Sequence, residues 1–147
     1  LSFLNKPLKY QFVHNTYATE AGISEALRRF AELYWCICAR ANEYIENAFP
    51  PVEMLDKLQC KMTTGTDSYA SNHSLSILDE LIFISENTTH LSVEKLLKWA
   101  TINGAEFLNI EDRFGSFEKG KKPGVNLISG MDSSGRLTSS ATVKRVI

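Results

Sequence analysis

The chain has 147 residues, 44% of them hydrophobic, with 16 basic against 17 acidic residues and a formal net charge of −1. That size and apolar content suit one domain with a real core, while the balanced charge gives no basic field to attract a phosphate backbone, so nucleic acid is not an expected partner. No apolar run approaches the roughly 20 residues needed to span a bilayer, so no membrane partner is expected either.

The three cysteines form no disulfide framework. Cys36 and Cys38 stand two apart in a strand-like run, which predicts a shared face and not a C-x-x-C pair. A reducing cytoplasm fits that usage. The N-terminus lacks a charged region leading into an apolar signal stretch. The chain opens on Leu1 and not on Met, so it is expected to be a processed product or a piece of a longer protein.

In chain order, residues 1–9 are broken by polar residues and by Pro7, which disfavours a helix interior. Tyr10-Gln11-Phe12-Val13 reads as a strand that delivers His14-Asn15-Thr16 at its end. Thr19 suits an N-cap for a helix to about residue 32, with Ile23, Leu27, Phe30 and Ala31 at helical spacing. Tyr34-Trp35-Cys36-Ile37-Cys38 is a continuous apolar run, as expected for a strand covered on both faces. Residues 39–50 read as an irregular polar stretch carrying Asn42, Glu43, Tyr44 and Glu46.

Pro51 then opens a short helix with Val52, Met54, Leu55 and Leu58 on its apolar face. A strand over 60–64 reaches Gly65 and places Asp67 among small polar residues. A helix from about Ser74 presents Leu75, Leu78, Leu81 and Ile82, and Ser92 caps another with Val93, Leu96, Leu97 and Ala100. Asn103-Gly104 is expected to break or restart that helix. Residues 115–124 are turn-rich, and short strands are expected over 125–128 and 141–147.

Strands alternating with helices imply parallel βα units. Parallel strands bring their carboxyl ends to one rim, so His14, the loop after Cys38 and Asp67 are expected to converge. Read alone, Gly65-Thr66-Asp67 is ordinary turn or cap chemistry, and a single strand-end His14 is more often satisfied by its neighbours. Their shared rim favours function. Three strands cannot close a barrel, so the chain is either a small open α/β domain or part of a larger barrel.

His14-Asn15-Thr16, Gly65-Thr66-Asp67-Ser68 with Ala70-Ser71-Asn72, Ala100-Thr101-Ile102-Asn103-Gly104-Ala105, and Gly115-Ser116-Phe117-Glu118-Lys119-Gly120-Lys121 occur in this order. In that order and spacing they resemble the metal-dependent amidohydrolase superfamily, in the branch of cytosine, guanine and adenosylhomocysteine deaminases and of chlorohydrolases. The resemblance implies α/β architecture: the carboxyl-terminal part of a (β/α)8 barrel, strands six to eight with their helices over 1–114, and a share of a small β-sandwich over 115–147. The first five strands, with their His-x-His and later histidine and glutamate, would lie outside this chain.

By the same resemblance Asp67 is the strand-eight metal ligand and the base toward the attacking water. His14 is the strand-six histidine, which hydrogen-bonds that water or the developing charge, or ligates a second metal. Asn42, Ser71 and Asn72 are implied to contact substrate, although Ser71 and Asn72 also suit a loop and cap role. His73, His90 and the lysines over 119–122 read as surface residues. The implied cofactor is one divalent Zn²⁺ or Fe²⁺ in the full-length enzyme, with none tightly bound by this chain alone, since two ligands fall short of a catalytic site. The implied partners are a small heterocyclic substrate, the remainder of the barrel and, through exposed edges, a second copy. The competing reading is a free-standing α/β binding or regulatory module without catalysis.

Overall fold

The computed structural model describes residues 8–147; the expectation for the first residues falls mostly outside these. Three parallel strands, β1 (Tyr10–Val13), β2 (Leu33–Ile37) and β3 (Lys61–Thr64), form a sheet in the order β1-β2-β3. Phe12 pairs with Trp35, and Trp35 with Met62. Alternation along the strands therefore gathers Phe12, Leu33, Trp35, Ile37 and Met62 on one face. That face meets Ile23, Leu55, Leu81, Ile84, Leu96 and Trp99 from the helices, and this is the core. Gln11, Cys36 and Thr63 stand on the other face, where Gln11 Nε2 donates to Thr63 Oγ1 at 2.9 Å.

Helix α1 (Glu20–Arg29) is capped as its sequence predicts, Thr19 Oγ1 accepting from Gly22 N at 3.2 Å, but it ends three residues early, where Phe30 turns to extended backbone. Residues 39–46 depart from expectation altogether. They form a helix, α2 (Ala39–Glu46), although its N-cap residue Cys38 offers no capping bond. The cap comes from elsewhere in the chain: the Arg40 N–H is accepted by Glu80 Oε2 at 3.1 Å. A helix start satisfied by a residue forty positions away leaves no local signature.

Helices α3 (Val52–Lys57), α4 (Ile77–Glu86), α5 (Val93–Ala100) and α6 (Ile102–Leu108) follow. α4 starts at Ile77 because Asn72 Oδ1 takes the Ser74 N–H and Ser74 Oγ the Ser76 N–H, which keeps 72–76 in turns until Ser76 caps the helix. The α5–α6 break falls at Thr101, not at Asn103-Gly104. Thr101 Oγ1 bonds back to Leu97 O at 2.6 Å, and Asn103 inside α6 donates to Met62 O at 2.7 Å.

The chain ends in an antiparallel hairpin, β4 (Asn126–Ser129) with β5 (Thr142–Arg145). The buried Leu137 and Ala141 join it to the core, and the Arg136 guanidinium ties it to the end of α4 by donating to the carbonyls of Ser85, Thr88 and Thr89. A cation on those final carbonyls suits the negative end of the helix. No helix among the described residues is long and apolar enough to cross a membrane.

Candidate active site

The parallel ladder continues one residue past each outer strand, His14 N donating to Cys36 O at 3.1 Å and Gly65 N to Ile37 O at 3.0 Å. Both strands then break sharply. Asn15 N bonds back to Val13 O, closing a γ-turn with His14 at φ 70°, and Asp67 sits at φ 58°. Left-handed backbone at a non-glycine residue costs on the order of 1–3 kcal/mol and collects where a side chain must be aimed. The two turned-back residues face each other: His14 Nε2 lies 3.9 Å from Asp67 Oδ2, with the side chains 40% and 34% exposed. The predicted convergence at one rim is observed.

Asn42 sets the histidine tautomer. Its Nδ2 donates to His14 O and to Thr16 Oγ1, so its Oδ1, 2.9 Å from His14 Nδ1, must accept from that nitrogen. In the neutral ring the Nε2 lone pair therefore faces the Asp67 carboxylate. Ser71 Oγ donates to Asp67 Oδ2 at 2.6 Å and orients it further. Two electron-rich atoms aimed at each other call for a proton or a cation between them. His14 and Asp67 are donor types that suit zinc, and they could supply two of its ligands. No group of three or more His, Cys, Asp or Glu that could hold a metal ion occurs among the described residues.

Asn42, Ser71 and Asn72, expected to contact substrate, are 2%, 4% and 5% exposed. Their polar atoms are engaged inside the chain, Asn72 Nδ2 reaching both Thr66 O at 2.8 Å and Glu80 Oε1 at 2.7 Å. In this arrangement they hold His14 and the Asp67 loop in place. His73 packs edge-on against Tyr44, 5.2 Å between centroids, and His90 is exposed. Lys121 is less solvated than its neighbours: its side chain is 12% exposed and bonded to Ser116 and Glu118.

Beneath the rim, Cys36 and Cys38 do share a face. The Cys38 thiol hydrogen-bonds Cys36 and holds its pKa down, while that same contact and burial push Cys38 up. Gly65 is closely approached here: an added Cβ would stand 3.0 Å from Cys36 Sγ and 3.2 Å from Cys38 Sγ, so the thiols would have to give way. Sequence reading missed Glu80, which is fully buried and whose carboxyl is pushed up by that burial, against the pull of the Arg40 N–H and the Asn72 amide. An acidic residue near a helix start reads as an ordinary dipole partner, and only its nonlocal contacts distinguish it.

The chain belongs to the amidohydrolase family, whose model matches residues 2–147. It is similar to the 5-methylthioadenosine/S-adenosylhomocysteine deaminase of Thermodesulfovibrio yellowstonii, 32% identical over 99 residues, which is 63% of this chain and 23% of the relative. The enzyme of the same name from Saccharophagus degradans is 30% identical over 119 residues, 76% of this chain and 26% of the relative. Among solved structures it is similar to an adenosine deaminase from Xanthomonas campestris with bound zinc, at 30% identity and a TM-score of 0.68 over 78% of this chain and 27% of that one. An atrazine chlorohydrolase from Arthrobacter aurescens complexed with zinc, 21% identical with a TM-score of 0.65 over 76% of this chain and 26% of that one, shares the fold. The chain thus spans about a quarter of the length of the relatives it matches.

Proposed function

We propose that this chain carries strands six to eight of an amidohydrolase barrel, and that the whole protein is a metal-dependent hydrolase that deaminates or dechlorinates a heterocycle. The observation that carries this reading is His14 Nε2 standing 3.9 Å from Asp67 Oδ2 on one strand-end rim. A bound Zn²⁺ or Fe²⁺ would supply the Lewis acidity that makes water a nucleophile near neutral pH.

The chain's own residues do the rest. Asp67, oriented by Ser71, accepts the proton that the attacking water gives up and can return it to the departing amine. His14, with its Nδ1 proton held by Asn42, offers Nε2 as a ligand or as an acceptor for the water's O–H. For a deamination, water adds to the ring carbon, the C–N bond breaks, and ammonia leaves with the transferred proton. A heterocycle bearing an amino or chloro substituent is the substrate class that the relatives' names support. By itself the 147-residue chain is proposed to be inactive, since two ligands fall short of the three typical of a catalytic zinc.

The test compares the full-length protein with the isolated chain. The full-length protein is expected to release ammonia from adenosine or S-adenosylhomocysteine, or chloride from a chlorotriazine. That activity should disappear on chelation and return with zinc or iron. The isolated chain should hold no stoichiometric metal by elemental analysis. Turnover that survives exhaustive chelation, or one tightly bound metal per isolated chain, contradicts the proposal.

A further inference from the structure

Glu80 is fully buried and lies outside the reacting pair, yet it touches both structures that hold that pair. Its Oε2 accepts the Arg40 N–H at the start of α2, the helix whose Asn42 fixes His14. Its Oε1 accepts from Asn72 Nδ2, and the same amide nitrogen donates to Thr66 O, the carbonyl just before Asp67. Both oxygens of one carboxylate are therefore committed, one to each side of the site.

The alternatives for these groups are poor. Cys38 gives the α2 start no capping bond, so without Glu80 the half-buried N–H of Arg40 would lose its partner. The Asp67 loop would lose the acceptor that holds Asn72 in place. α4 fixes Glu80 in turn, capped by Ser76 at one end and held by Arg136 at the other. We propose that Glu80 is a positioning residue, a single buried carboxylate that bridges the α2 N-terminus to the Asp67 loop and so sets the spacing between His14 and Asp67. This rests on the reading that His14 and Asp67 form the reacting pair.

Groups one contact away from a metal or reacting centre commonly change affinity or activity by about 10- to 100-fold when altered, and a misplacement of about 1 Å can cost about 100-fold. The test uses the full-length protein with E80Q, N72A and D67N variants. Gln keeps the shape of Glu80 but turns an NH₂ toward one of the two donors. N72A cuts only the arm to the Asp67 loop and serves if E80Q does not fold, folding being judged by circular dichroism. Kinetics on adenosine are read together with Zn²⁺ affinity by competition against a chromophoric chelator.

We expect E80Q and N72A to lower kcat by about 10- to 100-fold while KM stays within about threefold, and to weaken Zn²⁺ binding by about tenfold. A merely structural role would lower the melting temperature without that split between kcat and KM. If folded E80Q and N72A match the parent in kcat and Zn²⁺ affinity while D67N is inactive, the positioning role is overturned and the reacting pair stands. If D67N matches the parent in both, or the parent neither turns over adenosine nor binds Zn²⁺, the reacting pair fails and the positioning role fails with it.

Discussion

Asp67→Asn is expected to lower kcat/KM of the full-length protein by about a thousand- to ten-thousand-fold, the range for losing a positioned base together with its charge. At about 1.4 kcal/mol per factor of ten, this is a loss of roughly 4–5.5 kcal/mol of transition-state stabilisation. The substitution separates chemistry from folding well. Asn tolerates the left-handed backbone at φ 58° and can still accept from Ser71 Oγ. Removing a charge that faces the His14 lone pair costs the fold little, so thermal stability should hold or rise slightly. Steady-state kinetics and a thermal melt on the same preparation check this. Activity within tenfold of the parent, with the fold intact, would remove Asp67 from the chemistry.

Trp35→Ala is expected to cost about 3–5 kcal/mol of unfolding free energy, the range for deleting a large aromatic from a packed core. Trp35 is 2% exposed on the middle strand, backed by Phe12 at 5.3 Å and flanked in register by Phe12 and Met62. Its buried Nε1 has no hydrogen-bond partner among the described residues, so the deletion also removes an unsatisfied donor, which pulls the cost toward the lower end. Urea unfolding followed by circular dichroism measures it. A loss below about 1 kcal/mol would show that the sheet face is not the centre of the core.

What the sequence revealed follows how local each cause is. Thr19 and Ser92 cap the helices next to them through bonds spanning three residues, and both were readable. The strands of the sheet were readable as short strand-like runs, that over 34–38 being continuously apolar, and parallel pairing then placed His14 and Asp67 on one rim. α2 was missed because its cap, Glu80, arrives through tertiary structure. The α5–α6 break was misplaced because Asn103, a residue typical of turns, is drawn into the helix by its bond to Met62 O. The site shows the same division: His14 and Asp67 are marked by strand ends, whereas the hydrogen bond between Asn42 and His14 and the bridge made by Glu80 depend on residues brought together by folding.

The most direct measurement is a crystal structure of the full-length protein grown with zinc, with anomalous data collected across the zinc edge. The predicted result is a zinc peak at about 2.0–2.2 Å from an Asp67 carboxylate oxygen, with His14 Nε2 facing the same centre and further ligands supplied from outside residues 1–147. A zinc peak whose ligands leave Asp67 and His14 unengaged, or full turnover by crystals with no metal peak at that rim, would contradict it.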